Sequence, residues 1–316
     1  MRKRLLLTLL LSAGLTYAHS QAIRNSNSIV PSGKGFGVPG PAQAAQVDSF
    51  TVHQGNGIDY HGGAIMPNTP NIYLIWYGNW QSGPAPSDSA KTVNLVTNFF
   101  KNVSGSDYLM INSTYGDSSH DVTGLVNVAG AVKAANYPLG KNLSDSTILQ
   151  IVTKVVSTRM LPKDVNGVYF VLTTSDVNET SGFCSVYCGW HNHAMIGGSD
   201  IKYAFVGNTD RCSSACEAQT KSPNNDSGAD GMINIAAHEL EEAISDPDLN
   251  AWWNSHTGQE NADQCAWKFG DLLGGTIGNG GFNETMNGVN YLIQMNWENA
   301  RGGGCDNFLG GPFHTN

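Results

Sequence analysis

The sequence predicts an α/β or α+β fold, a central mixed sheet packed by helices, with one acid-rich helix late in the chain and disulfide-stapled loops. Three observations carry this. Asn71–Tyr77, Val168–Thr173 and Ile201–Val206 are continuous apolar, β-prone runs of the kind that form strands buried on both faces. Two segments repeat apolar residues at helical spacing behind capping residues. Six cysteines, Cys184, Cys188, Cys212, Cys216, Cys265 and Cys305, crowd the second half.

Taken in order, Arg2, Lys3 and Arg4 open a cationic start. Leu5–Leu15 follow as an apolar run too short to span a bilayer, with small residues at Thr16-Tyr17-Ala18 and again at Ser20-Gln21-Ala22. Residues 1–22 are therefore expected to be a secretory signal peptide, and residues 23–48, rich in Ser, Gly, Pro, Ala and Gln, a flexible leader. A single domain is expected over residues 49–316. The 316-residue chain has 17 Lys and Arg against 26 Asp and Glu, a net charge of −9. Removing residues 1–22 leaves 14 basic residues and a net of −12. Without a basic cluster, neither a nucleic acid nor an anionic membrane surface is an expected partner. No later stretch is apolar enough to anchor the chain in a bilayer, so a secreted, extracellular and monomeric protein is expected.

After the first strand, Pro86-Ser87-Asp88-Ser89 offers caps for a helix carrying Val93, Val96, Phe99 and Phe100, broken at Gly105. A second helix follows Ser144, with Ile148, Ile151, Val152, Val155 and Val156. The resulting order is strand, helix, helix, strand, cysteine loop, strand, helix. An oxidising compartment favours disulfides over zinc ligation by the four clustered cysteines. The simplest pairing is Cys184–Cys188, Cys212–Cys216 and Cys265–Cys305.

The last helix carries the chemistry. It starts at Asp230 or Gly231 and cannot pass Pro247. His238, Glu242 and Asp246 stand at i, i+4 and i+8, so one imidazole and two carboxylates share a face. Glu239, about 100° round the helix, can reach a metal-bound water without being a ligand. This H-E-x-x-E pattern resembles the H-E-x-x-H helix of metallopeptidases. Two anionic ligands lower the ion's power to acidify water, and they admit calcium or manganese beside zinc. Glu260 lies eighteen residues beyond Glu242, with Asp263 at i+3 from it. That spacing is similar to the glutamate-zincin peptidases. The likeness implies a zincin-like active-site helix, Glu260 on a second helix as third ligand, Asp263 orienting His238, and Cys265 pinning that helix.

Several stretches together resemble the phosphate-induced protein 1/EXORDIUM-like family. They are His61-Gly62-Gly63, Tyr73-Leu74-Ile75-Trp76-Tyr77-Gly78, Phe183-Cys184 through Cys188-Gly189-Trp190-His191, Cys212 through Cys216, and Asp230-Gly231-Met232 leading to Ala237-His238-Glu239-Leu240. The resemblance covers about residues 55–308 and implies an extracellular, wall-associated protein. Plant members keep H-E-L without an acid at the place of Glu242, so the complete H-E-x-x-E with Glu260 resembles a microbial branch that retains metal chemistry.

His191 and His193 form an H-x-H that would point both rings to one side on a strand, and His61 precedes two glycines that let backbone approach. Each is an alternative ligand, as is Asp246. Trp252, Trp253 and Trp267 bracket Glu260 either as core or as a platform for a sugar ring. Sequons occur at Asn102, Asn112, Asn142, Asn178, Asn225 and Asn283. The expected function is hydrolysis of a peptide or protein substrate. A divalent metal, zinc with calcium as the alternative, is held by His238, Glu242 and Glu260, with Glu239 as general base. The alternative is a non-catalytic binder of cell-wall carbohydrate with a structural ion.

Overall fold

The computed structural model describes residues 31–34 and 56–314. The expected signal peptide, and all of the leader except residues 31–34, lie outside the described residues. The centre is a five-stranded mixed sheet. Its strands are β1 (Asn71–Tyr77), β2 (Asn127–Ala134), β3 (Gly167–Thr173), β4 (Gly189–Ile196) and β5 (Ser199–Gly207), in the spatial order β2-β1-β3-β5-β4. The first four strands in that spatial order run parallel, and β4 closes one edge antiparallel to β5.

The three apolar runs become β1, β3 and β5, and β3 is buried along its whole length. Burial on both faces requires helices on both faces, because crossovers between parallel strands carry them there. Helix α1 (Ala90–Asn102) joins β1 to β2, and α2 (Asp145–Ser157) joins β2 to β3. The two crossovers step in opposite directions along the sheet, so right-handed connections place them on opposite faces. Ser89 caps α1 by accepting from the Thr92 amide, and Val96, Phe99 and Phe100 turn inward. The Thr147 hydroxyl accepts from the Ser144 amide at the start of α2, whose five predicted apolar residues are all buried. Phe100 meets Phe170 of β3 at 4.7 Å between ring centres. Each such ring contributes roughly 1.5–3 kcal/mol through burial.

Both edge strands escaped the sequence reading. In β2, Asn-Val-Ala-Gly-Ala-Val-Lys-Ala is exposed or half-exposed throughout, so it lacks the apolar run that marks a central strand. β4 occupies the ground assigned to a cysteine loop. The Gly197-Gly198 pair, with φ +56° and +81°, turns it into β5 as a two-residue hairpin requires.

Helix α3 (Ser227–Ser245) starts three residues earlier than Asp230, with Asp226 accepting from the Ala229 amide, and is buried from Gly228 to its end. After it the chain folds into short hairpins. Two of the expected disulfides are corrected: the bonds are Cys184–Cys212 and Cys188–Cys216, while Cys265–Cys305 is as expected. The two C-x3-C segments face each other and are stitched twice across a separation of 28 residues. A bridge within either would have closed only one short turn and removed little chain entropy. With every cysteine paired, none is left to bind zinc. Asn112 and Asn283 are buried, and their amides donate to Glu241 O and to Phe269 O and Ile293 O, so these two sequons are structural. Among the described residues, no helix is long and apolar enough to cross a membrane.

Cys265, Met295 and Cys305 form a small core of their own. Replacing both cysteines by alanine should cost on the order of 4 kcal/mol for a loop of 40 residues. The check is a lowered urea midpoint that reducing agent reproduces in the wild type.

Candidate metal centre

Helix α3 runs beneath β4 and β5 and carries His238, Glu239 and Glu242 fully buried. Such a helix is stable only if each polar group meets a partner. One side of it is satisfied by amides: Asn296 donates to Glu241 Oε2 at 2.6 Å, and the Gln294 backbone amide donates to Asn234 Oδ1 at 2.7 Å. Gln294 also donates to Ala262 O, and Asn261 to Asn112 Oδ1, so the segment 260–263 is held against the helix. Glu241, a buried acid with no ligand spacing to mark it, was not singled out by the sequence.

On the other side, ionisable groups face one another. His238 Nε2 stands 3.0 Å from Glu242 Oε1 and 3.3 Å from Asp263 Oδ1. His191 Nε2, from β4, stands 3.2 Å from both oxygens of Glu260 and 3.7 Å from Glu242 Oε2. Glu242 thus turns one oxygen to each histidine and belongs to two groups, His238–Glu242–Asp263 and His191–Glu242–Glu260. At metal–ligand distances of about 2.0–2.1 Å, two ligands of a tetrahedral ion stand roughly 3.3 Å apart. Most of these separations are close to that spacing.

Exposure ranges only from 0% at His238, Glu239 and Glu242 to 7% at Asp263. Among the described residues, neither oxygen of Glu239 has a hydrogen-bond partner. The Glu239 carboxylate fits beside β4 because position 189 is glycine, where a Cβ would come 2.9 Å from Glu239 Oε1 and 2.4 Å from Ile235 Cγ2. Burial pushes the Glu239 and Glu260 carboxyls well up, with Glu242 adding to both. Burial, then Asp263, pushes Glu242 up to about 7 against the pull of His238. Burial pulls the His191 ring down to about 3, helped by His238 and His193, and so keeps it in the neutral form that binds metals. For His238 burial works downward, but Glu242 and Asp263 outweigh it and hold the ring well up. Four carboxylates facing two imidazoles need protons or a cation.

The residues named from sequence divide accordingly. His238 and Glu242 stand together, and His191 joins them. Glu260 groups with His191 and Glu242 rather than with His238. Asp263 reaches His238 at Nε2, the nitrogen that also faces Glu242, so it stands among the donors instead of behind the ring. The second helix is only a 3-10 turn, Asp263–Cys265, with the Asp263 carboxylate capping the Glu260 amide. His61 stacks on Trp253 at 3.5 Å, away from the cluster. His193 faces Asp200 and Asp248, where Lys202 already supplies the positive charge. Trp253 is buried in the core, while Trp252 is half-buried, packed on Tyr60 and Tyr115. Asp246 ends the helix, accepting from the Asn250 and Ala251 amides at 2.7 and 2.6 Å.

A conserved-region pattern described as phosphate-induced protein 1 matches residues 58–305. The chain is 30% identical over 273 residues to Protein EXORDIUM-like 3 of Arabidopsis thaliana, covering 76% of this chain and 80% of that protein. It is 30% identical over 250 residues to Protein EXORDIUM-like 5 of the same plant, covering 70% of this chain and 65%, just under two thirds, of that longer protein. To Protein PHOSPHATE-INDUCED 1 of Nicotiana tabacum it is 27% identical over 273 residues, covering 75% and 83%. No solved structure matches.

The carboxyl of Asp246 is pushed up to about 7 by burial, against the backbone bonds it accepts. The native chain therefore keeps a proton that the unfolded chain has shed, and stability falls as pH rises from about 4 to about 7. Asp246→Asn should remove that part of the slope. Urea unfolding should show the variant gaining on wild type by a few kcal/mol between about pH 4 and about pH 8.

Proposed function

The chain belongs to the phosphate-induced protein 1 family, and from that footing we propose that it is an exported metalloprotein that hydrolyses peptide bonds with a zincin-like helix. Under this reading H-E-x-x-E marks a microbial branch of the family. The donor set suits zinc: the His238–Glu242–Asp263 group holds the ion, and Glu242 links it to the His191–Glu242–Glu260 group. Three disulfides and the cationic, apolar start of the sequence support export.

The observation that carries the catalytic reading is Glu239, fully buried, one residue from His238, with neither oxygen hydrogen-bonded among the described residues. A structural ion gives such a carboxylate no task. When bound, a divalent ion polarises a carbonyl and lowers the pKa of its water. Glu239 would then take the proton and return it to the leaving amine, its carboxylate accommodated because position 189 is glycine. His191, kept neutral by burial, adds no positive charge that would repel the ion.

One observation favours a structural ion instead: all six side chains of the cluster are buried among the described residues. The two readings separate by experiment. Wild type should contain zinc, and Glu239→Gln should keep the metal while losing about 10²–10⁴-fold in the release of new amino termini from a denatured protein substrate. Glu242→Ala should lose the metal. Unchanged activity in Glu239→Gln would leave only the structural ion, and a wild type that is metal-free, folded and indifferent to chelator would remove both.

A further inference from the structure

Residues 31–34 lie along the free edge of β4. The Gly33 carbonyl accepts from the His191 amide at 2.9 Å, a backbone bond on the sheet's free edge made by a segment that is not itself a strand. Gly33 has φ +67°, and a Cβ there would meet the His191 carbonyl oxygen at 2.1 Å, so only glycine lets the segment lie this close. Pro31 and Gly33 are buried.

From this anchor Lys34 enters a pocket. Its ammonium is 2.6 Å from Asp145 Oδ2, in the first turn of α2, and 3.2 Å from Ser181 Oγ. It also lies over the rings of Tyr187 and Trp190, at 5.0 and 5.5 Å from their centres. Glu179, 1% exposed, backs the pocket and accepts from the Tyr187 hydroxyl, while the one Ser181 hydroxyl proton is shared between Glu179 and Asp145. One carboxylate, one hydroxyl and two ring faces thus meet one cation whose side chain is 21% exposed, with Glu179 and the Tyr187 hydroxyl behind them. Burial works against the charge on Asp145, but the bonds from Lys34 and Ser181 outweigh it and hold the carboxyl low. A lone surface ion pair has no such surroundings and contributes little. Ring faces and desolvation make this a seat selective for an ammonium.

We propose that the β4 edge and the Asp145–Glu179–Tyr187–Trp190 pocket form a binding site for a peptide with a lysine next to a glycine, and that the chain's own Pro31–Lys34 occupies it. The site goes beyond the metal reading and does not need it, since no side chain of the pocket is in the His238 cluster. The tethered segment competes at a high effective concentration, so a peptide in solution gains access only when the segment is displaced.

The test uses the full mature chain carrying Gly33→Val and Lys34→Ala, which remove the close fit on β4 and the cation. The probe is a fluorescent, end-blocked Pro-Ser-Gly-Lys peptide followed by anisotropy. It should bind the double variant at least tenfold more tightly than wild type, and at least tenfold more tightly than the same peptide with norleucine in place of lysine. Adding Asp145→Asn should cancel the preference for lysine. Equal binding by variant and wild type, or equal binding of the two peptides, overturns the proposal. Should the double variant fail to fold, trypsin cleavage after Lys34 decides: Asp145→Asn alone should speed the cut at least tenfold over wild type, and equal rates overturn the proposal. Metal content measured on the same samples keeps this result separate from that of the His238 cluster.

Discussion

The structure depends on one costly choice, a central helix buried from Gly228 to Ser245 that nevertheless carries Asp230, Asn234, His238, Glu239, Glu241 and Glu242. An isolated carboxylate in such a place loses several kcal/mol of hydration, so the rest of the fold must answer each group. Much of the chain beyond α3 does this. Asn296, Gln294 and Asn261 meet the helix with amides, and the Cys265–Cys305 bond ties the segment that presents Glu260 and Asp263. On the sheet side the glycine at 189 clears space for Glu239. The acids facing His191 and His238 remain under-compensated, which is why a cation is the economical answer there.

The parts of the fold legible from sequence were those with a strong physical signature. β1, β3 and β5 are central strands and read as apolar runs, and α1 and α2 have apolar stripes with polar caps. β2 and β4 are edge strands. An edge needs only one neighbour, so Ala, Gly, Lys and His suffice there, and neither period nor composition announces it. The cysteine pairing was hidden for a related reason. Spacing along the chain reports which cysteines are near in sequence, whereas the double stitch depends on two turns meeting across the fold.

For the cluster, i, i+4 spacing places His238 and Glu242 together on any helix, and their 3.0 Å approach follows from the helix alone. Glu260 and Asp263 carried less information. Their spacing suggested a helix that would point both side chains one way, but the chain makes only a 3-10 turn, and Asp263 folds back to cap the Glu260 amide. The two acids consequently part, Glu260 towards His191 and Asp263 towards His238. His61 and His193 had equally good local settings, yet each is taken by a nearer partner: the face of Trp253 for one, Asp200 and Asp248 for the other.

β4 is where these constraints meet. Along a strand the side chains alternate between the faces while the backbone groups of an edge point sideways, so a single residue can serve two neighbours without compromise. His191 sends its ring to Glu242 and Glu260 while its amide is taken by Gly33. Trp190, its neighbour, points the other way and lines the pocket of Lys34. Anything that shifts β4 along its edge must therefore alter the distance of His191 from the acids of the cluster and the fit of the lysine pocket together. Holding β4 rigid, through the hairpin at Gly197-Gly198 and the Cys188–Cys216 bond just before its first residue, is how the fold keeps both arrangements in register.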